Sequence, residues 1–287
     1  MNDRVEVRKT YKLFIGGAFP RSESGRTYEV HDTDDKFLAN AAKASRKDGR
    51  DAVLAARKGC AAWSSATAYN RGQVLYRVAE VMEGRRDQFI TDVQAAEGLG
   101  DKKSARVVDS AIDRLVWYAG WADKYAQVLG NTNPVAGPYF NFTIPEPTGV
   151  VAAVAPQDSS LLGLVSVIAP TVVTGNALIV IASTKCPIPA ITLTEVLATA
   201  DVPAGVINVL TGDPAEIAPW LASHGDVNAI DLTGVTSQDL AKQLEIEAAG
   251  TVKRVRRPAQ PNWLTTPDLG RLASFVETKT VWHPIGA

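Results

Sequence analysis

The chain has 287 residues, 46% of them hydrophobic, enough for a sizeable core in one large domain or two ordinary ones. Thirty Lys and Arg against 31 Asp and Glu leave a net charge of −1, so no global field draws in nucleic acid or an anionic membrane. The charged start Met1–Glu6 has no apolar core, and no apolar run reaches the ~18 residues of a membrane span, so a soluble, cytoplasmic protein is expected.

In chain order, Leu13-Phe14-Ile15, Gly16-Gly17 and Ala18-Phe19 predict a hairpin, because Gly-Gly supplies the positive φ angles of a two-residue turn. Ser24-Gly25 followed by Thr27-Tyr28-Glu29-Val30 predicts a second turn and strand. From Lys47 to Trp63, the residues Val53, Leu54, Ala56, Ala61 and Ala62 recur at helical intervals, with Asp48 as the expected N-cap. A second helix is predicted over Arg71–Ile90, with Val74, Leu75, Val78, Val81 and Met82 on one face. A third covers Ala105–Leu129, its stripe formed by Val108, Ile112, Leu115, Tyr118 or Ala119, Ala122 and Tyr125. These helices are expected to flank a sheet, with Trp117 and Trp121 as packing residues.

Prolines interrupt the segment from Asn131 to Pro147, within which Tyr139-Phe140-Asn141-Phe142-Thr143 alternates like an exposed strand. Five short apolar runs follow, Val150–Ala155, Ala177–Ile181, Val206–Leu210, Ala229–Leu232 and Val252–Val255, each separated from the next by room for one crossover helix. Their nearly continuous apolar character predicts a doubly wound α/β domain with helices on both faces of a parallel sheet. Ligands of such folds lie outside the carboxyl ends of the strands. Beyond them, Pro258, Pro261 and Pro267 mark an ordered linker, and Phe275–Trp282 reads as another alternating strand. An edge this hydrophobic invites aggregation if left open, so the run is expected to pair with Tyr139–Thr143 or to complete a partner's sheet.

Chemistry-bearing signals are sparse. Cys60 and Cys186 stand apart without a CxxC or Cys/His cluster, which argues against a disulfide framework or a metal site. His224 ends a helix, where a cation suits the dipole; His31 and His283 have no second ligand or base at motif spacing. Gly149, Gly175, Gly205, Gly212 and Gly234 are turn and cap residues, and no GxGxxG fingerprint is present.

Several stretches resemble the aldehyde dehydrogenase superfamily in its usual order: Phe14-Ile15-Gly16-Gly17, Trp117–Lys124, Gly137–Thr143, Glu146-Pro147-Thr148-Gly149-Val150-Val151 and Pro203–Val209. The tail Glu277-Thr278-Lys279-Thr280-Val281 resembles the family's last strand. The resemblance implies a Rossmann-like cofactor domain (1–130 and 146–257) and a small β oligomerisation arm (131–145 and 272–287). It also implies NAD or NADP binding, a cysteine nucleophile on a second domain and a glutamate that activates water.

The residues themselves depart from that pattern. Where the family has Pro-Trp-Asn-Phe-Pro, this chain has Pro156-Gln157-Asp158-Ser159-Ser160, and the carboxylate of Asp158 cannot donate to an oxyanion. The family's ribose-holding Lys-Pro-x-Glu is replaced by Ile181-Ala182-Ser183-Thr184, with Lys185 one residue further on. In the Phe-Thr-Gly-Ser pattern, Leu232-Thr233-Gly234-Val235 loses the hydroxyl at Val235, and Asp239 sets a negative charge where a diphosphate would approach. After Lys253-Arg254-Val255, the general-base Glu and the rest of the catalytic domain are replaced by the linker 258–271, and neither Cys60 nor Cys186 has a neighbour that would activate it.

The expectation is therefore a degenerate family member, with no catalytic residue, no metal and no cofactor, although NAD or NADP remains possible at the groove of Pro156, Asp158, Ile181, Thr184, Gly234 and Val235. Its expected role is that of a non-catalytic subunit that binds a full-length aldehyde dehydrogenase or its own copies through Tyr139, Phe140, Phe142, Thr278, Thr280, Val281 and Trp282. The alternative is an NAD(P)-binding oxidoreductase component that borrows its thiol from a partner chain. A third reading is a relic that folds without acting.

Overall fold

The computed structural model describes residues 7–286, so the start Met1–Glu6 lies outside the described residues. Three short strands come first, β1 (Thr10–Tyr11), β2 (Thr27–His31) and β3 (Phe37–Ala42), in a small sheet ordered β1-β3-β2. β1 is too short to show a period and β3, Phe-Leu-Ala-Asn-Ala-Ala, does not alternate, so neither was legible in sequence. The hairpin expected at Gly16-Gly17 is reduced to its turn. Both glycines have positive φ (62° and 77°) and Ile15 bridges Ala18, but Phe14 exchanges backbone hydrogen bonds with Val209 instead.

Helix α1 (Arg46–Ser65) is capped by Ser45, not Asp48. Asp48 is the third residue of a capping box: its carboxylate accepts from the Ser45 amide at 2.7 Å while the Ser45 hydroxyl accepts from the Asp48 amide. The buried face of α1 is Ala52, Val53, Ala56 and Cys60; Leu54, Ala61 and Ala62 lie off it and are exposed, contrary to the sequence reading. The segment expected as one helix from Arg71 to Ile90 is two, α2 (Ala68–Glu83) and α3 (Arg86–Glu97), because the chain leaves helical geometry at Arg85 (φ −118°, ψ 17°) after Gly84. Likewise Ala105–Leu129 divides into α4 (Asp101–Trp121) and the short α5 (Tyr125–Leu129), although its stripe from Val108 through Tyr125 is buried as expected.

Strands β4 (Asn131–Asn133) and β5 (Tyr139–Pro147) lead into the α/β unit. This comprises β6 (Val150–Val154), α6 (Leu162–Val173), β7 (Ala177–Ile181), α7 (Ile188–Leu197), β8 (Ile207–Leu210), α8 (Pro214–Ser223), β9 (Ala229–Asp231), α9 (Gln238–Ala249) and β10 (Arg254–Arg256). A four-residue helix, α10 (Gly270–Ala273), precedes the last strand, β11 (Val276–Pro284). The five strands β10-β9-β6-β7-β8 form one parallel sheet whose winding reverses between β6 and β9, which is the doubly wound order expected.

The period-2 alternation of β6 divides the core. Val151 and Ala153 pack on the face of α6 and α7, while Val150, Ala152 and Val154 pack on the face of α1, α8 and α9. Only α1 of the first three predicted helices lies on the sheet itself; α2, α3 and α4 form an outer layer against α6 and α7. Every residue of α6 is buried as a result. Two polar groups tie α1 and α2 to the end of α6: the Trp63 indole of α1 donates to the Val172 carbonyl at 2.7 Å, and Arg71 Nε of α2 donates to the Val173 carbonyl at 2.9 Å.

The remaining sheet is an antiparallel arm ordered β11-β5-β4. β11 pairs with β5 along its full length, from Val276 opposite Pro147 to Pro284 opposite Tyr139. Phe275 and Val276 at its root belong to the main core, and Arg254 on β10 grips Glu277 bidentately at 2.6 and 2.7 Å. Among the described residues, no helix is long and apolar enough to cross a membrane.

Candidate functional site

The crevice where the sheet winding reverses is built from the loops after β6 and β9 and roofed by the linker. Gln157 organises the first loop. Its side-chain amide donates to the Ala155 carbonyl at 2.7 Å and accepts from the Thr184 amide at 3.0 Å, and its own carbonyl accepts from the Ser183 hydroxyl at 2.9 Å. The loops after β6 and β7 are thereby locked together. On the other wall, Gly234 is needed for close approach: a Cβ there would fall 1.9 Å from the Ala155 carbonyl oxygen, and the Gly234 amide donates to the Val154 carbonyl at 3.0 Å. The chain from Pro258 to Trp263 supplies the third wall of a cleft of about 460 Å³.

Of the six groove residues read from sequence, Pro156, Asp158, Gly234 and Val235 line this cleft, whereas Ile181 and Thr184 do not. Ile181 is buried in β7 opposite Val154, and the Thr184 hydroxyl is committed to the Gly212 carbonyl at 2.9 Å. Lys185 is exposed and does not line the cleft either. Asp158, exposed, is the one charged residue among the described lining residues, and Asp239 stands in the first turn of α9, which Ser237 caps. Among the described residues no lining cation faces an incoming phosphate, and the fixed charge at the rim is negative.

Glu97, at the end of α3, stands behind the loop after β6, outside the cleft lining. Its carboxylate accepts from both the amide and the hydroxyl of Ser160 at 2.7 Å, yet burial, with Asp158 adding repulsion, raises its pKa above the usual carboxylate range. Cys186 lies beside it. Burial first, then the charges of Glu97 and Asp158, push its thiol pKa up, and Sγ donates to the Ala96 carbonyl at 2.7 Å. Cys60, buried in α1, is also raised by burial. Both sulfurs are thus held as thiols, the form that does not attack a carbonyl.

The linker, read in sequence only as a proline-rich crossing, is tied to the domain by two arginines. Arg114 of α4 donates to the carbonyls of Trp263 (2.6 Å) and Thr265 (2.9 Å) and to the Ser166 hydroxyl (2.8 Å). Arg271 of α10 bonds Asp231, buried at the end of β9, at 3.3 Å, and its guanidinium stacks 4.9 Å from the Trp263 ring centroid. Sequence spacing gave no signal for either, because each contact joins residues far apart in the chain.

In the arm, register divides the expected interface residues between two faces. Tyr139, Thr278, Thr280 and Trp282 share one with the polar ladder Asn133, Asn141 and Thr143; Phe140, Phe142 and Val281 share the other with Lys279 and Glu146. Tyr139, Phe140 and Trp282 are exposed, and Tyr139 meets Trp282 edge-on at 5.7 Å.

The sequence model of the aldehyde dehydrogenase family matches residues 19–257. Among curated proteins, retinal dehydrogenase 2 of Gallus gallus is 34% identical over 262 residues, covering 88% of this chain and 48% of that protein. Aldehyde dehydrogenase, cytosolic 1, of Elephantulus edwardii is 31% identical over 260 residues, covering 88% and 50%. The chain spans about half the length of these relatives. Among solved structures, betaine aldehyde dehydrogenase of Staphylococcus aureus in complex with NAD+ superposes with a TM-score of 0.80 at 24% identity, over 85% of this chain and 49% of that one. The NAD+ complex of an aldehyde dehydrogenase from Bacillus cereus gives a TM-score of 0.80 at 24% identity, over 86% and 50%. These superpositions speak to the fold.

Proposed function

The chain belongs to the aldehyde dehydrogenase family, and from that premise we propose that it is a non-catalytic subunit that assembles, through its strand arm, with a full-length member of the family or with further copies of itself. The observation that carries this reading is the arm. β11 is anchored at its root by Phe275, Val276 and the Arg254–Glu277 pair, yet its far end presents Trp282 and a strand edge paired on one side only. Such an edge is a template for another strand. Association gives both the edge and the exposed aromatics something to pair with.

The cleft argues the same way from the opposite side. Asp158 occupies the expected oxyanion-donor position, Ile181 and Thr184 are spent on the fold, and the chain passes from β10, ending at Arg256, to β11, starting at Val276, through the linker and the four-residue α10. Neither thiol is activated. Binding of NAD or NADP is therefore expected to be weaker than millimolar, since each lost charge-assisted contact removes about 1.5–3 kcal/mol.

Sedimentation velocity tests the proposal, comparing the intact chain with a truncation lacking Glu277–Ala287, each alone and mixed with a full-length family member. The cut leaves Phe275 and Val276 in the core, so the α/β domain should keep its circular dichroism while the assembly falls to smaller species. An unchanged mass distribution sinks the arm-mediated reading. Micromolar NAD binding by calorimetry would instead favour the component that borrows a partner's thiol.

A further inference from the structure

Three guanidinium groups from three elements, Arg114 on α4, Arg256 on β10 and Arg271 on α10, surround a cavity of about 110 Å³ between α4 and the linker. Tethering the linker explains two of them: Arg114 caps its carbonyls and Arg271 pairs with Asp231. It does not explain the donors left over. Arg256 spends Nη1 on the Ser274 hydroxyl at 2.6 Å, but its Nε is buried with no partner among the described residues. Tyr118, 1% exposed, lines the same cavity, and its hydroxyl forms no hydrogen bond with any described residue. Buried donors are normally satisfied, so the unspent Arg256 Nε, with the unbonded Tyr118 hydroxyl beside it at the same cavity, calls for an acceptor.

The charge balance points the same way. Among the described residues, Asp268 is the only acidic one lining the cavity, and Asp231 is already held by Arg271. Arginine cannot relieve the excess by losing a proton. Burial together with mutual repulsion disfavours the charged forms of Arg114 and Arg271, so a bound anion would be welcomed there.

We propose that this cavity binds a phosphate group, with Arg256 and Tyr118 as its donors and Arg114 and Arg271 supplying the surrounding positive field. A guanidinium fork matches the spacing of phosphate oxygens, and a tetrahedral dianion fits several converging cations better than a monovalent halide does. Ala259, Pro261 and Trp263 line both this cavity and the crevice between β6 and β9, so a phosphate monoester could leave its organic part in the larger cleft. The site is independent of the subunit role proposed above.

Thermal unfolding of the full chain, titrated with sodium phosphate or with adenosine monophosphate against sodium chloride at matched ionic strength, tests the assignment. A saturable rise in melting midpoint is expected with phosphate and not with chloride. Tighter binding of the monophosphate than of inorganic phosphate identifies an ester as the ligand; equal or weaker binding identifies the free anion. Arg256→Gln and Tyr118→Phe should each weaken the apparent affinity by about tenfold, the loss of one charged or well-placed donor. Tyr118→Phe removes only a hydroxyl without a protein partner, so its phosphate-free midpoint should match that of the unmodified chain, which keeps the test decisive if Arg256→Gln folds poorly. No shift beyond that of chloride, or an equal shift in Tyr118→Phe, overturns the proposal.

Discussion

Replacing Arg271 by methionine is the sharpest probe of how the linker is held. Asp231 is 1% exposed and accepts from the Thr233 amide at 2.8 Å, from the Thr233 hydroxyl and from Arg271 at 3.3 Å. Arg271→Met leaves a buried carboxylate with no cation, a change that typically costs ~3–5 kcal/mol. The two surviving donors from Thr233 and the long reach of the ion pair hold the loss to the lower end, about 3 kcal/mol. Asp231→Asn alone strands Arg271 beside Arg114 and Arg256 and should cost about 2 kcal/mol. The double variant removes both charges while the carboxamide oxygen introduced by Asp231→Asn can still accept from Thr233, and should lose only about 1 kcal/mol in total. Urea unfolding in phosphate-free buffer, followed by circular dichroism with a common slope, measures all four corners of the cycle. If Arg271→Met costs less than about 1 kcal/mol, or if the coupling energy falls within about 0.5 kcal/mol of zero, the buried pair does not fasten the linker and the reasoning fails.

Gly234→Ala forces a Cβ to within 1.9 Å of a backbone oxygen that cannot move cheaply, and should destabilise by about 3 kcal/mol, at the upper end for overpacking; an unfolding midpoint unchanged from the parent contradicts the close approach. The hydrogen bonds from Arg254 hold the Glu277 carboxyl below the ordinary glutamate range, so their contribution is present above about pH 4.3 and is lost as pH falls through the lower folded-state value. Both side chains are roughly half exposed, and solvent screening limits the pair to about 0.2–1 kcal/mol. The melting difference between the parent and Glu277→Gln should therefore close on acidification from about pH 6 to about pH 3, and a gap that widens on acidification counts against the pairing. Purified alone, the chain should give no NAD(P)-dependent oxidation of aldehydes, because the buried Cys60 and the half-buried Cys186 both have raised thiol pKa values; turnover abolished by Cys186→Ser is the contrary result.

The sequence by itself determined the parallel sheet, because strands covered on both faces must be apolar throughout, and Ala177-Leu178-Ile179-Val180-Ile181 can hardly be read otherwise. It also required that Tyr139–Thr143 and Phe275–Trp282, as alternating edge strands, either pair with each other or complete a partner's sheet, and the tertiary structure pairs them as β5 and β11. The substitutions at Asp158, Ile181, Thr184 and Val235 were visible as residue types, but only the fold separated those that line the cleft from those that do not. Whereas the helix break at Arg85 falls in Glu83–Gln88, a stretch with Gly84 and no apolar residue, the break after Trp121 was decided by the tertiary structure, because the apolar period Tyr118, Ala122 and Tyr125 runs through it. The same holds for Gln157 locking two loops, for Glu97 beside Cys186 and for the arginines around Tyr118. Those contacts join residues brought together by chain reversal, up to 151 positions apart between Arg114 and Thr265, and a one-dimensional pattern records which side chains exist but not which of them meet.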